Sequence, residues 1–191
     1  MALISAVDLA RRIVAKIPEY IFPDSRGNWP ELRTIIADIG ADLGMETHLT
    51  HGPTKRKEFL CDVCWINPQT YCMELAVESE MAGNSDVVAD FKRLLHAKPP
   101  IKLIIFDRGP KYGPMVVVDI EEELRRYRGH VKGEQYFVFD CHGDRDDRKF
   151  HCYSWTVPHN ESIDVVRLET VEGTPIAYKI GDSGRNEVTQ P

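Results

Sequence analysis

Hydrophobic positions recur with two different periods along the chain. Near the amino terminus they repeat every three to four residues, which predicts two amphipathic helices. The first helix ends before Pro18, and the second begins near Pro30 and is followed by Gly44 as its C-cap. A third helix with the same period is predicted over Ser85–Ala97. Shorter runs, apolar or alternating, predict strands over Met45–His51, Glu58–Ile66, Tyr71–Met81, Ile101–Phe106, Gln135–Cys141 and Lys149–Val157.

The second half of the chain has a weaker pattern, with more glycine, proline and charge between its apolar runs. The elements predicted there are a turn-rich connector over Arg108–Pro114, a short strand or helix lead-in over Met115–Val118, a helix over Asp119–Arg128 and a hairpin made of Ser162–Thr170 and Thr174–Ile180. The polar segment 181–191 is expected to be a disordered tail. Residues 1–180 are therefore predicted to form a single α/β domain.

Carboxylates interrupt the two central predicted strands. Because side chains two apart share a face of a strand, Glu78 and Glu80 are predicted to point the same way. The turn at Asn67–Gln69 makes the strand of Asp62 the antiparallel neighbour, with opposed Cβ atoms roughly 4.5–5.5 Å apart. Like charges at that spacing repel unless a cation or a shared proton offsets them. Oxygen ligands on strands favour Mg²⁺ or Mn²⁺ over zinc, so Asp62, Glu78 and Glu80 are predicted metal ligands.

The other face of the same strand is apolar. Met73, Leu75, Val77 and Met81 alternate with the acids. This face is predicted to be covered by the helix over Ser85–Ala97.

This arrangement resembles the PD-(D/E)XK nuclease superfamily, which has the restriction-endonuclease-like fold. Its core is an α-β-β-β-α-β mixed sheet flanked by helices, with Asp on the second strand and (D/E)-x-K on the third. Asp62 and Glu78-Ser79-Glu80 match those positions, and the likeness covers about residues 29–107. Glu80 stands where the superfamily usually has lysine, which is an E-x-E variant known among type II restriction enzymes. The strands after residue 107 are additions to that core.

The resemblance implies a hydrolase, a metal-dependent nuclease that cuts phosphodiester bonds in DNA more readily than in RNA. Asp62 and Glu78 would hold Mg²⁺ or Mn²⁺, and Glu80 would act on the attacking water or help to hold a second metal. Lys55 or Lys57 would help to neutralise the transition state. Many nucleases of this fold are dimers, so the resemblance also admits a homodimer.

Two further residues are candidates by the same resemblance, and each has a simpler explanation. Some members place an acid of the first helix at the metal, which would be Glu31 here, but an acid in a first turn also favours the helix dipole. Other members carry the catalytic lysine on the helix after the third strand, which would be Lys92 here. A solvent-exposed lysine explains that residue equally.

An alternative function is a catalytically inactive member of the same fold that acts as a binding or scaffolding domain. The missing motif lysine and the net charge of −6 both favour it, because nucleic-acid-binding proteins usually carry a basic surface. In that case the acids would be solvated or paired with arginines.

Composition and cysteine content set the remaining limits. A chain of 191 residues that is 42% hydrophobic is long enough for one domain with a substantial core. Charged residues interrupt the amino-terminal stretch and no apolar run approaches the ~18 residues of a membrane span, so a cytoplasmic protein with reduced thiols is expected. Cys61-x-x-Cys64 could belong to a zinc site with Cys141-His142 and His151-Cys152. Residues three apart on a strand point to opposite faces, so buried apolar cysteines are the preferred interpretation.

Overall fold

The computed structural model describes residues 4–16, 29–50, 61–80, 83–142, 149–157, 169–170, 176–180 and 186–189. The helices are α1 (Ala6–Lys16), α2 (Trp29–Asp42), α3 (Asn84–Leu95) and α4 (Gly109–Arg126). The strands are β1 (Glu46–Leu49), β2 (Val63–Ile66), β3 (Met73–Glu80), β4 (Ile101–Phe106), β5 (Gln135–His142), β6 (Lys149–Thr156), β7 (Glu169–Thr170), β8 (Ile176–Ile180) and β9 (Asn186–Thr189). None of the helices in these ranges is long and apolar enough to cross a membrane.

The strands form one mixed sheet with the order β1-β2-β3-β4-β5-β6-β8-β9, and β7 also pairs with β6. Neighbouring strands are antiparallel from β1 to β3 and parallel from β3 to β5, after which β6 runs antiparallel to β5. A short turn connects β2 to β3 and makes these two strands antiparallel. The helical crossovers α3 and α4 connect β3 to β4 and β4 to β5, so these pairs are parallel. The predicted α/β class, with a mixed sheet flanked by helices, is confirmed.

Both faces of the central strands are buried, and this corrects one prediction. Leu75 and Val77 pack in the apolar layer under α1 and α2, not under α3. The helix α3 covers the opposite face, where Phe91 packs in the same layer as Ala76. Because β3 lies inside the sheet with crossovers on each side, its acidic face is also covered by a helix.

The connector predicted over Arg108–Pro114 is wrong, because α4 already begins at Gly109. Gly109 enters the helix with a φ of 67°, which glycine adopts readily, and a proline follows in the first turn, where no helical hydrogen bond is lost. Glycines and prolines there resemble turn signals, but Val116, Ile120 and Leu124 bury one face of a single long helix. The helix α3 begins at Asn84, one residue before the predicted start at Ser85, and Gly83 is its N-cap.

The carboxyl-terminal strands also pair differently from the prediction. The segments Ser162–Thr170 and Thr174–Ile180 do not form a hairpin with each other in the described residues, since β7 pairs with β6 and β8 pairs with β6 and β9. The segment 181–191, expected to be disordered, contains β9. Turn signals alone do not determine which strand is the neighbour, because a connection can cross over a strand.

Gly40 of α2 lies directly against β2, and the Gly40→Ala variant is expected to unfold more easily. A Cβ at this position would meet the indole of Trp65 and come within 2.7 Å of Thr47 Cγ2. Trp65 cannot yield readily, because it is fully buried and its Nε1–H donates to the Ile36 carbonyl at 3.0 Å. Overpacking should lower the free energy of unfolding by about 1–3 kcal/mol, against a helix-propensity gain of at most about 1 kcal/mol.

Urea denaturation measures this loss. The matched control is Ala41→Leu on the exposed side of α2, which is expected to change stability by no more than about 0.5 kcal/mol. A Gly40→Ala protein as stable as the parent would contradict the close packing of α2 on β2.

Candidate functional site

The two acidic segments lie on neighbouring strands, as predicted. Val63 of β2 pairs with Val77 of β3, and the backbone N–H of Asp62 donates to the Val77 carbonyl at 2.9 Å. Continuing this register places Asp62 opposite Glu78. The strand β2 begins at Val63, so Asp62 lies in a bend just before it.

Asp62 turns toward α2 and is held there by three donors. Its Oδ2 accepts hydrogen bonds from the Ser79 backbone N–H at 3.0 Å and from Ser79 Oγ at 2.8 Å. Arg33 Nη2 lies 3.2 Å from the same oxygen, and Arg33 Nε donates to Ser79 Oγ at 2.7 Å. The carboxylate is therefore oriented by a closed set of contacts among β3, α2 and the bend.

Glu78 turns toward α3, on the other side of the sheet from Arg33. Its side chain is 2% exposed, and Oε1 lies 3.5 Å from Arg93 Nη2. Arg93 Nη1 also contacts Asp90 Oδ1 at 2.6 Å. Because the Arg93 side chain is 49% exposed, this guanidinium connects a buried carboxylate to the surface.

Asp90 is a member of this cluster that the sequence analysis missed. Burial raises the pKa of Asp90, and the charges of Glu80 and Asp62 raise it further, against the lowering effect of Arg93. A signal existed in the sequence, because Asp90 falls between Val87 and Phe91 in the inward stripe of α3. An acid in that stripe is expected to have a partner of opposite charge, which here is Arg93.

The cluster carries more negative than positive charge. Its carboxylates are Asp62, Glu78, Glu80 and Asp90, and its cations are Arg33 and Arg93. The carboxylate oxygens of this set are the type of ligand that a hard divalent ion prefers. Their positions do not form a site, because no three Asp, Glu, His or Cys side chains of the described ranges come together as ligands of one ion. Arginine contacts Asp62 and Glu78 where the prediction placed a metal.

Glu80, the third predicted ligand, ends β3 beside Phe106 of β4 and is partly exposed. The remaining candidates lie apart from the cluster or outside the described residues. Lys92 points into the groove between α3 and α4, where its Nζ lies 3.1 Å from Glu123 Oε1. Lys55 and Lys57 lie outside the described residues, as does the side chain of Glu31.

Cys61 and Cys64 lie on the same side of the sheet, which corrects the prediction that they point to opposite faces. The chain bends at residues 61 and 62, so the alternation of a regular strand does not apply there. Both thiols pack in the apolar layer under α3. The Cys64 thiol and burial raise the pKa of Cys61, while the Cys61 thiol lowers the pKa of Cys64 despite its burial.

Comparison of the chain with protein-family models, with curated proteins and with solved structures finds no significant match.

Proposed function

We propose that this chain is a metal-dependent nuclease with a restriction-endonuclease-like core, acting on DNA. The single observation that carries the proposal is the position of the acids within the element order α2-β1-β2-β3-α3-β4. Asp62 precedes the second strand and Glu78 and Glu80 end the third, at the edge where the parallel strand β4 also ends. Ligands of α/β proteins are commonly bound beyond the carboxyl ends of parallel strands.

In this proposal Asp62, Glu78 and Glu80 would hold Mg²⁺ or Mn²⁺. Such an ion would polarise a phosphate oxygen and lower the pKa of a water. Ser79 serves by fixing the orientation of Asp62 through its N–H and its hydroxyl. The cation would compete with Arg33 and Arg93 for the same carboxylates.

Arg93 is the residue that we propose in place of the motif lysine. Its guanidinium reaches Glu78 from α3 and remains half exposed, so it can turn from the carboxylate to a phosphate of the substrate. Guanidinium groups bind phosphate oxygens in pairs, which suits a charge-neutralising role. Glu80 occupies the lysine position and would orient the attacking water.

Cleavage of single-stranded, double-stranded and branched DNA with Mg²⁺ or Mn²⁺ tests the proposal. We expect cutting by the parent chain, and a loss of about a hundredfold or more in Asp62→Asn and Glu78→Gln, because an ion contributes several kcal/mol to the transition state. Glu74→Gln, earlier on the same strand, is the matched control and should retain cutting. Absence of cutting by the parent under all these conditions would refute the nuclease.

A second candidate function is a binding domain of the same fold without catalysis. The observation that favours it is the pairing of Asp62 with Arg33 and of Glu78 with Arg93, on opposite sides of the sheet. In such a domain the acids hold helices on the sheet. The matching expectation is that Asp62→Asn and Glu78→Gln lower the melting temperature, while added Mg²⁺ leaves the melting temperature of the parent unchanged.

A further inference from the structure

The outward face of α4 carries apolar side chains in solvent. Met115 and Val118 are 56% and 55% exposed, and Tyr112, one turn before Met115, is 42% exposed. The inner face of the same helix already supplies the core, because Val116 and Ile120 are fully buried. Neighbouring exposed apolar residues beyond those of the core are typical of an interaction surface.

The outermost line of this helix has the four-three-four spacing of a coiled-coil seam. We call it the α4 seam, and its residues are Lys111, Met115, Val118 and Glu122. All of them are exposed. The seam therefore has an apolar pair at its centre, a cation at its amino-terminal end and a carboxylate at its carboxyl-terminal end.

Charge determines how a second copy of this helix can lie against the seam. In a parallel pair each residue meets its own copy, so lysine would face lysine and glutamate would face glutamate. In an antiparallel pair that aligns Met115 with Val118 of the second copy, Lys111 meets Glu122 of the second copy at both ends. Arg126 contacts Glu122 Oε2 at 3.0 Å, which leaves Oε1 to accept from the lysine. The seam is therefore self-complementary about a two-fold axis, as an interface between identical subunits must be.

Tyr112 and Asp119 flank the seam and favour the same arrangement. They are seven residues apart, so they occupy equivalent positions of the repeat, and such positions lie opposite each other in an antiparallel pair. The Tyr112 hydroxyl can therefore donate to Asp119 of the second copy. Lys111 Nζ lies 4.9 Å from the centroid of the Tyr112 ring, a contact that holds the ammonium beside the seam.

We propose that two copies of this chain form a symmetric dimer in which their α4 seams pair antiparallel. One helix from each copy buries less than the roughly 1,200 Å² of a stable interface, so the dimer is weak and reversible. Its dissociation constant is expected to be on the order of 100 µM. The acids Asp62, Glu78 and Glu80 take no part in it, so the dimer does not rest on the proposed function.

Sedimentation velocity of the full chain between about 10 µM and about 1 mM tests the proposal. We expect the weight-average sedimentation coefficient to rise with concentration toward that of a dimer. Lys111→Glu and Glu122→Lys should each weaken association by about tenfold or more, because each places like charges at both ends of the seam. The double variant exchanges the two charges and should restore the association of the parent.

The matched control is Lys98→Glu, which reverses the charge of an exposed lysine beyond α3 and should leave association unchanged. A sedimentation coefficient that stays constant over the whole concentration range would overturn the proposal. A dimer that either single variant leaves intact, or that the double variant does not restore, would place the interface on another surface and overturn it equally. The measurement is made without nucleic acid, so its result is independent of whether the protein cuts DNA.

Discussion

Replacing Glu134 with glutamine is expected to lower the free energy of unfolding by about 3 kcal/mol or more. Glu134 is 5% exposed, and its Oε1 lies 2.7 Å from the ammonium of Lys102, which is fully buried in β4. Burial lowers the pKa of Lys102, and Glu134 works against that shift by favouring the charged form. Without the carboxylate, a buried ammonium keeps no counter-charge.

The second oxygen of Glu134 explains why the pair is held in one geometry. Its Oε2 accepts from Tyr136 Oη at 2.6 Å and from the Val131 backbone N–H at 3.1 Å. His130 Nδ1 lies 2.7 Å from the same tyrosine oxygen, and His130 Nε2 donates to the Leu124 carbonyl at 2.8 Å. The network therefore ties β4 and β5 to the end of α4.

Urea denaturation of Glu134→Gln, Lys102→Met and the double variant measures the coupling. The double variant is expected to be more stable than either single one, because glutamine can still accept from Tyr136 and methionine carries no charge. The matched control is Glu122→Gln, which removes the exposed partner of Arg126 and should cost less than about 1 kcal/mol. Additive losses in the double variant would show that Lys102 and Glu134 do not stabilise each other.

The Asp140→Asn variant is expected to become more stable than the parent as the pH rises from about 4 to about 7. Asp140 lies in β5 beside Phe106 and is 1% exposed, with Gly113 of α4 packed against its carboxyl group. Burial raises the pKa of Asp140 to about 7, and Asp107 adds to that effect, although the backbone N–H of Arg108 opposes it.

The sign of the effect follows from proton binding. The folded state holds the Asp140 proton up to a higher pH than the unfolded chain, whose carboxyl has the ordinary pKa of 3.8. The contribution of Asp140 to the free energy of unfolding is fully present below about pH 4. It is lost as the pH rises through the folded pKa of about 7. A difference of about 3 pKa units corresponds to a loss on the order of 4 kcal/mol.

Asparagine has nearly the same shape and does not ionise, so the variant lacks this loss. Denaturation of both proteins between pH 4 and pH 8 should give equal stabilities at the acid end and a growing advantage for Asp140→Asn above it. Titration of other groups is common to both proteins and cancels in the difference. Parallel stability curves would show that Asp140 ionises in the folded state as easily as in the unfolded chain.

The periodicity of the apolar residues was sufficient to predict most of the helices and strands around the site. The helices α2 and α3 and the strands β3 and β4 were predicted close to their observed bounds, because each has a continuous apolar stripe or run ended by glycine or proline. The adjacency of β2 and β3 also followed from the sequence, since a short turn leaves antiparallel pairing as the simple connection. Local signals misled where glycine and proline occur inside a helix, at the start of α4.

The surroundings of the acids were decided by the tertiary structure. Arg33 meets Ser79 across 46 residues of sequence, and no local pattern indicates that contact. The bend at residues 61 and 62 likewise separates Asp62 from the face of Glu78 and places Cys61 on the same face as Cys64. The sequence by itself determined that Glu78 and Glu80 lie two apart on one strand, because side-chain alternation is a local property. Only the packing of α2 and α3 on opposite faces decided which cation each carboxylate meets, because charge pairing depends on distances between residues that are far apart in the chain.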